Sequence, residues 1–197
     1  MKTLIIVDAQ YDFMPGGALA VPDGDAVVPA INALQDDFDL IVATQDWHPP
    51  GHNSFAAAHP GRDPFEVTEL HGLEQTLWPD HCVQGSAGAE LHGELDMRRV
   101  EAIIRKGMDP DIDSYSGFYD NGHRKSTGLA GLLRDKGATE LHVCGLAADI
   151  CVYYTLMDAL KLGFPATLQT PATRPLDPDA FEAAKEDIVR NGGVIGE

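Results

Sequence analysis

A three-layer α/β/α fold around a central six-stranded parallel sheet is the architecture this sequence predicts. Three observations carry the expectation. Short, continuous apolar runs recur along the chain, as strands covered on both faces require. Amphipathic stretches separate them, as the right-handed crossover helices of a parallel sheet require. And 197 residues that are 44% hydrophobic suffice to bury a core without disulfide staples, so residues 1–197 are expected to form one domain.

The elements follow in order. Residues 4–7, Leu-Ile-Ile-Val, read as a first strand ending at Asp8. An amphipathic stretch at 25–36 reads as a helix, and the run 40–44 as a second strand leading to Asp46. Residues 102–104 give a third strand that ends at Arg105-Lys106, and 125–136 a second helix. The run 141–144 closes at Gly145. Asp149 is a good N-cap for a helix over 150–162. Residues 166–168 form a fifth strand, 179–191 a helix and 192–197 a short sixth strand. One segment breaks the rhythm. Residues 47–88 are rich in Pro, Gly and His, with little periodicity beyond a short helix near 67–77. Five of the eight histidines fall there, and so long a connection in a compact domain is usually functional.

Composition excludes several classes of function. With 14 basic against 31 acidic residues the net charge is −17, which repels phosphate backbones and anionic headgroups, so neither nucleic acid nor a membrane is an expected partner. The apolar start of the chain turns polar at Asp8, too soon for a signal peptide or a membrane span. The three cysteines, Cys82, Cys144 and Cys151, suggest a reducing compartment and a cytoplasmic protein.

Open parallel sheets bind ligands beyond the carboxyl ends of their strands. There the sequence places Asp8, Asp46, Lys106 and the loop leading to Cys151. A thiol attacks an acyl carbon as thiolate and needs a base and a positive neighbour, roles open to Asp8 and Lys106. The first turn of the helix capped by Asp149 would add the positive end of the helix dipole at Cys151. Cys144, inside a strand, reads as a buried small hydrophobe. A second set is Asp46-Trp47-His48 with His81: two imidazoles and a carboxylate suit zinc, iron or manganese. His52, His59 and His71 read as solvated loop residues, with His52 the reserve ligand.

These residues resemble the isochorismatase-like cysteine hydrolases, and among them the nicotinamidases. The resemblance runs along nearly the whole chain. It rests on Val7-Asp8-Ala9-Gln10-Tyr11-Asp12-Phe13, Asp46-Trp47-His48-Pro49, the run Trp78-Pro79-Asp80-His81-Cys82-Val83-Gln84-Gly85, Arg105-Lys106-Gly107, and the residues from Cys144 to Val152. It implies a catalytic triad of Asp8, Lys106 and Cys151. It also implies a divalent metal, zinc before iron or manganese, on Asp46, His48 and His81, and a pyridine ring held by Phe13 and Trp78. A cis peptide between Leu146 and Ala147 is implied too, with the N–H groups of Ala147 and Cys151 as oxyanion hole. The expected reaction is hydrolysis of nicotinamide to nicotinate and ammonia, with pyrazinamide-type analogues as further substrates, in NAD salvage. The expected partner is a small molecule, with a homo-oligomer allowed. Ala148, Ile150 and the stretch 170–175 depart from the family's usual pattern and touch the expected pocket wall.

Two other readings compete. A metal-independent amidase acting on carbamoyl or ureido compounds would leave Asp46, His48 and His81 without a task. A non-catalytic metal-binding or redox-responsive protein, sensing through Cys82 and Cys151, would leave the Asp8–Lys106 pair without one.

Overall fold

A computed structural model describes residues 1–196; Glu197, the last residue of the expected sixth strand, lies outside them. Eight strands and four α-helices form. The strands are β1 (Lys2–Val7), β2 (Leu40–Asp46), β3 (Val67–Leu70), β4 (Leu73–Thr76), β5 (Val100–Lys106), β6 (Glu140–Gly145), β7 (Ala166–Thr173) and β8 (Val194–Gly196). The helices are α1 (Val27–Leu34), α2 (Leu129–Asp135), α3 (Tyr153–Lys161) and α4 (Pro178–Arg190).

Six strands join in one sheet in the order β5-β2-β1-β6-β7-β8, and every pairing is parallel. The alternation inside each apolar run explains the three layers. Ile5 and Val7 point to a core shared with Leu129 and Leu133 of α2, Leu156 of α3, and Phe181 and Ile188 of α4. Leu4 and Ile6 point the other way, to a core shared with Val27, Val28 and Ile31 of α1 and with Phe13 and Trp78. A strand between two such layers buries both faces, and all seven residues of β2 are buried. The chain winds outward from β1 through β2 to β5, then returns to the other side of β1 with β6. That reversal opens a crevice over the carboxyl ends of β1 and β6, where ligands bind in such folds.

Several boundaries differ from expectation for local reasons. α1 is shorter than 25–36 because 3₁₀ turns, Gly24–Ala26 and Gln35–Asp37, occupy its ends. α2 begins only at Leu129, after Gly128 at φ 93°. α4 matches closely: the Asp177 carboxylate accepts the N–H groups of Asp179 and Ala180, and Pro178 opens the helix. The helix expected near 67–77 is a β-hairpin. Val67 pairs with Thr76 and Leu70 with Leu73, and the two turn residues, His71 and Gly72, both have positive φ (52° and 80°). Such a two-residue turn matches the twist of paired strands, and Gly72 supplies the backbone freedom it needs. Among the described residues no helix is long and apolar enough to cross a membrane.

Candidate active site

The carboxyl ends of four strands deliver the polar residues. Asp8 is the first residue after β1 and has a left-handed backbone, φ 45°. Thr44 of β2 steadies it: the Thr44 hydroxyl donates to Asp8 Oδ1 (2.7 Å) and accepts the Asp8 N–H (3.2 Å). Asp46 and Lys106, the last residues of β2 and β5, are partners in the strand register. The Lys106 ammonium therefore lies among Asp8 Oδ2 at 2.9 Å, Asp46 Oδ1 at 3.2 Å and the Ser114 carbonyl at 2.9 Å, and it donates to Cys151 Sγ at 3.5 Å. Lys106 and Asp8 are buried, and a lysine so deep persists because carboxylates surround it.

Cys151 follows β6 in a single π turn, Ala148–Val152, that leads into α3. Asp149 does not cap this helix. It lies inside the π turn, and its carboxylate instead accepts the N–H groups of Leu176 (2.8 Å) and Asp177 (3.0 Å), tying the turn to the start of α4. The peptide between Leu146 and Ala147 is cis. The loop around it is braced by residues of the unusual stretch 170–175: the Thr173 hydroxyl donates to the Gly145 carbonyl, and the Ala148 N–H donates to the Arg174 carbonyl. The Ala147 N–H has no partner among the described residues and borders the same pocket as Cys151.

Charge states follow from burial. Burial pushes the Asp8 carboxyl up from its usual value, while Lys106 and the Thr44 hydroxyl pull it down without cancelling the rise. Burial also drives the Cys151 thiol well above its usual value; Lys106 opposes this, and the carboxylates of Asp8, Asp46 and Asp113 reinforce it. Cys151 is thus held as a thiol beside a base, because burial and three carboxylates outweigh one lysine. Cys82 and Cys144 are buried free thiols, also pushed up by burial.

Asp46, His48 and His81 offer ligand atoms that all lie within 4.8 Å of one another. His48 Nε2 is 3.0 Å and His81 Nε2 3.5 Å from Asp46 Oδ2. Both rings can donate Nδ1–H to a backbone carbonyl, His48 to Gly107 (3.0 Å) and His81 to Pro79 (2.8 Å). That turns each Nε2 toward Asp46, the arrangement a divalent metal shared by the three requires. Although burial opposes it, the Asp46 carboxylate also favours a proton on His48, whose value is raised to about 9, so a metal and a proton compete for that nitrogen. Gly107 permits the close approach: a Cβ there would stand 2.5 Å from His48 Cε1. His52 differs from expectation. It is buried, not solvated, and both ring nitrogens are engaged: Nδ1 accepts the Ser54 N–H (3.0 Å) and Nε2 donates to the Asp109 carbonyl (2.6 Å). No lone pair remains for a metal. His59 is half-buried against the Asn53 carbonyl, and His71 is exposed in the hairpin turn.

A narrow pocket adjoins both sets. Phe13, Trp78, Tyr115, Ile150 and Leu176 give it apolar walls, and Asp46, His81, Ala147 and Cys151 also face it. Trp78 is held by its indole N–H, which donates to the Tyr115 hydroxyl (3.2 Å). Of the departures, Ile150 reaches this wall, whereas Ala148 is buried behind it.

The sequence assigned no role to Gln10, although it lies in the Val7–Phe13 motif, nor to Thr44, Asp113 or Tyr115. Gln10 clamps Asp46 by both backbone groups, donating to its carbonyl and accepting its N–H, each at 2.8 Å. Thr44 carried a signal, since it lies two residues before Asp46 on one face of β2. Asp113 and Tyr115 lie in an irregular stretch after β5, with no periodicity to mark them.

The isochorismatase domain family matches residues 2–197. A nicotinamidase of Escherichia coli (strain K12) is 48% identical over 177 residues, which cover 88% of this chain and 83% of that protein. The structure of a nicotinamidase and pyrazinamidase of Acinetobacter baumanii superposes with a TM-score of 0.96 at 44% identity, covering 98% of this chain and 94% of that one. A pyrazinamidase of Pyrococcus horikoshii, solved in complex with zinc, gives 0.81 at 38% identity, covering 100% and 98%. Sequence, sheet order and the residues gathered over the sheet agree, and the chain belongs to the isochorismatase family, beside its nicotinamidases.

Proposed function

We propose that the chain is a nicotinamidase that hydrolyses nicotinamide to nicotinate and ammonia through a thioester on Cys151. The observation that carries this reading is the convergence of Asp8, Cys151 and one buried ammonium, Lys106, beside an aromatic-walled pocket. The names of its relatives, nicotinamidase and pyrazinamidase, support the substrate class.

The ring enters between Phe13 and Trp78, with its carboxamide towards Cys151. Asp8 takes the thiol proton as Sγ attacks the amide carbon. The N–H groups of Ala147 and Cys151 receive the oxyanion; losing one such donor typically costs on the order of 100-fold or more in rate. Asp8 returns its proton to the leaving nitrogen, and ammonia departs. Water then adds to the thioester carbon as Asp8 takes its proton. The adduct collapses, Asp8 returns that proton to sulfur to restore the thiol, and the nicotinic acid released ionises to nicotinate. Lys106 keeps Asp8 ionised and offsets the negative charge that moves onto sulfur. Because the thiol rests protonated, proton removal and attack are coupled.

Asp46, His48 and His81 fit a divalent metal, and we assign zinc by the chemistry of the set and the zinc-bound relative, with iron or manganese as alternatives. When bound, the ion supplies a Lewis acid for the pyridine nitrogen, orienting the ring. A metal-independent amidase would have no use for two histidines turned toward one carboxylate. The single-domain reading of 1–197 is supported by one six-stranded sheet, and the cytoplasmic setting by three free thiols. A role in NAD salvage follows from the reaction.

Ammonia release from a panel of aromatic and carbamoyl amides tests the reading. Nicotinamide and pyrazinamide should react and ureido compounds should not; the reverse preference would overturn it.

A further inference from the structure

Asp113 is a buried acid to which neither the thioester chemistry nor the metal triad gives a task. Its side chain borders the same pocket as Asp46, His81 and Cys151, and only 4% of the residue is exposed. Its hydrogen-bond partners are neutral: Oδ1 accepts the Ser114 N–H at 2.7 Å, and Oδ2 lies 3.4 Å from Gln75 Nε2. Among the described residues no lysine or arginine nitrogen comes within 4.0 Å of it, and its one charge-capable neighbour at that range is His48, with Nε2 at 3.9 Å from Oδ1. Buried carboxylates are retained where a cation compensates them.

The formal charges of the buried cluster show what is missing. Asp8, Asp46 and Asp113 contribute three negative charges and Lys106 one positive, so the cluster stands at −2 with both histidines neutral, as metal ligands must be. A divalent ion on the triad brings that sum to zero, whereas a site without Asp113 would be left with a net positive charge. Asp113 does not belong to the set of ligand atoms that lie within 4.8 Å of one another, so it serves from outside that set.

We infer that Asp113 is a positioning residue for the divalent metal, an outer carboxylate beside His48 that balances the ion's second charge and accepts hydrogen bonds from its water ligands. This rests on the metal-dependent reading above. Outer groups of this kind typically change metal affinity 10- to 100-fold.

The test is zinc affinity of the metal-free protein, measured by competition with a chromophoric chelator for wild type, Asp113→Asn and Asp113→Glu, with the melting temperature of each metal-free protein. The expected result is one tight site in the wild type and roughly 10- to 100-fold weaker binding in D113N. Affinity should return substantially in D113E, and metal-free D113N should melt close to metal-free wild type, because Asp→Asn keeps the shape of the side chain. Zinc affinity in D113N within twofold of wild type would overturn the inference and leave the metal reading standing. Equal weakening in both variants, or metal-free variants that melt well below wild type, would also overturn it, by showing a packing role. A wild type that binds no zinc would overturn the metal reading and the inference with it.

Discussion

Lys106 Nζ stands 3.5 Å from Cys151 Sγ although two strands, β1 and β2, lie between the strands that lead to them. The sheet's twist and register bring both residues over the carboxyl end of β1, where Asp8 waits. One ammonium then serves three acidic groups, Asp8, Asp46 and the thiol, all of them buried. Electrostatic interactions are far stronger there than at the surface, so each member's removal has a distinct signature.

Cys151→Ala removes the nucleophile and leaves the metal ligands untouched. Steady-state ammonia release from nicotinamide should fall by roughly four orders of magnitude or more, while metal content by elemental analysis stays at the wild-type level. Mass spectrometry of acid-quenched wild-type enzyme should show the mass of a nicotinoyl adduct that C151A lacks. Retained activity in the alanine variant would exclude the thioester route.

Lys106→Met leaves Asp8 and Asp46 buried without their shared cation. Breaking a buried pair in this way typically costs about 3–5 kcal/mol. The variant should therefore show both a lower denaturation midpoint and a loss of activity. An equally stable variant would mean that the carboxylates are not charged together.

The pH profile follows from Asp8. Its folded-state value is raised, chiefly by burial, above the ordinary 3.8. A base works when deprotonated, so kcat/KM should fall as pH drops through that raised value, and the acid limb should lie above pH 3.8. For stability the sign is opposite: a raised carboxyl favours the protonated native state, so its contribution is complete below the unfolded-state value and is lost as pH rises through the folded one. The Thr44 hydroxyl holds the value down. Thr44→Val should therefore move the acid limb to higher pH, and a limb that does not move would show that another group governs it.

Metal ligation separates His48 and His81 from His52. His48→Asn and His81→Asn should each lower metal stoichiometry and activity on nicotinamide. His52→Asn should leave metal content near wild type, since both of its ring nitrogens are already engaged by Ser54 and Asp109. Exhaustive chelation should abolish activity, and added zinc should restore it; loss of metal in H52N would place His52 in the coordination set.

Trp78 owes its orientation to Tyr115, whose hydroxyl also accepts from Gln75 at 2.9 Å. Tyr115→Phe leaves the indole N–H without its partner, a loss worth about 1–3 kcal/mol when the group is buried. It should appear mainly in KM for nicotinamide, by several-fold or more, with a smaller effect on kcat. A change confined to kcat would point to a role in the chemistry itself.

Much of this protein was determined by the sequence read on its own. Continuous apolar runs that end on Asp8 and Asp46 specify strands buried on both faces, whereas the strand that ends on Lys106 lies at the sheet edge and is exposed on alternate residues. Those ends are therefore both the fold's signature and the site's raw material. Local chemistry alone misjudged 67–77, where apolar residues at mixed spacing suggested a helix and a two-residue turn with positive φ produced a hairpin. It also misjudged Asp149, whose capping propensity yielded to two N–H donors arriving from residues 176 and 177. The tertiary structure alone decided which histidines turn Nε2 toward Asp46. The sequence set His48 and His81 apart and kept His52 in reserve, but only the carbonyl or N–H that reaches each Nδ1 fixes how the other nitrogen is engaged. It likewise decided that Cys151 rests as a thiol, and that Asp113 faces the metal triad. Burial and distance between residues far apart in the chain set those properties, and neither is encoded in any short stretch of it.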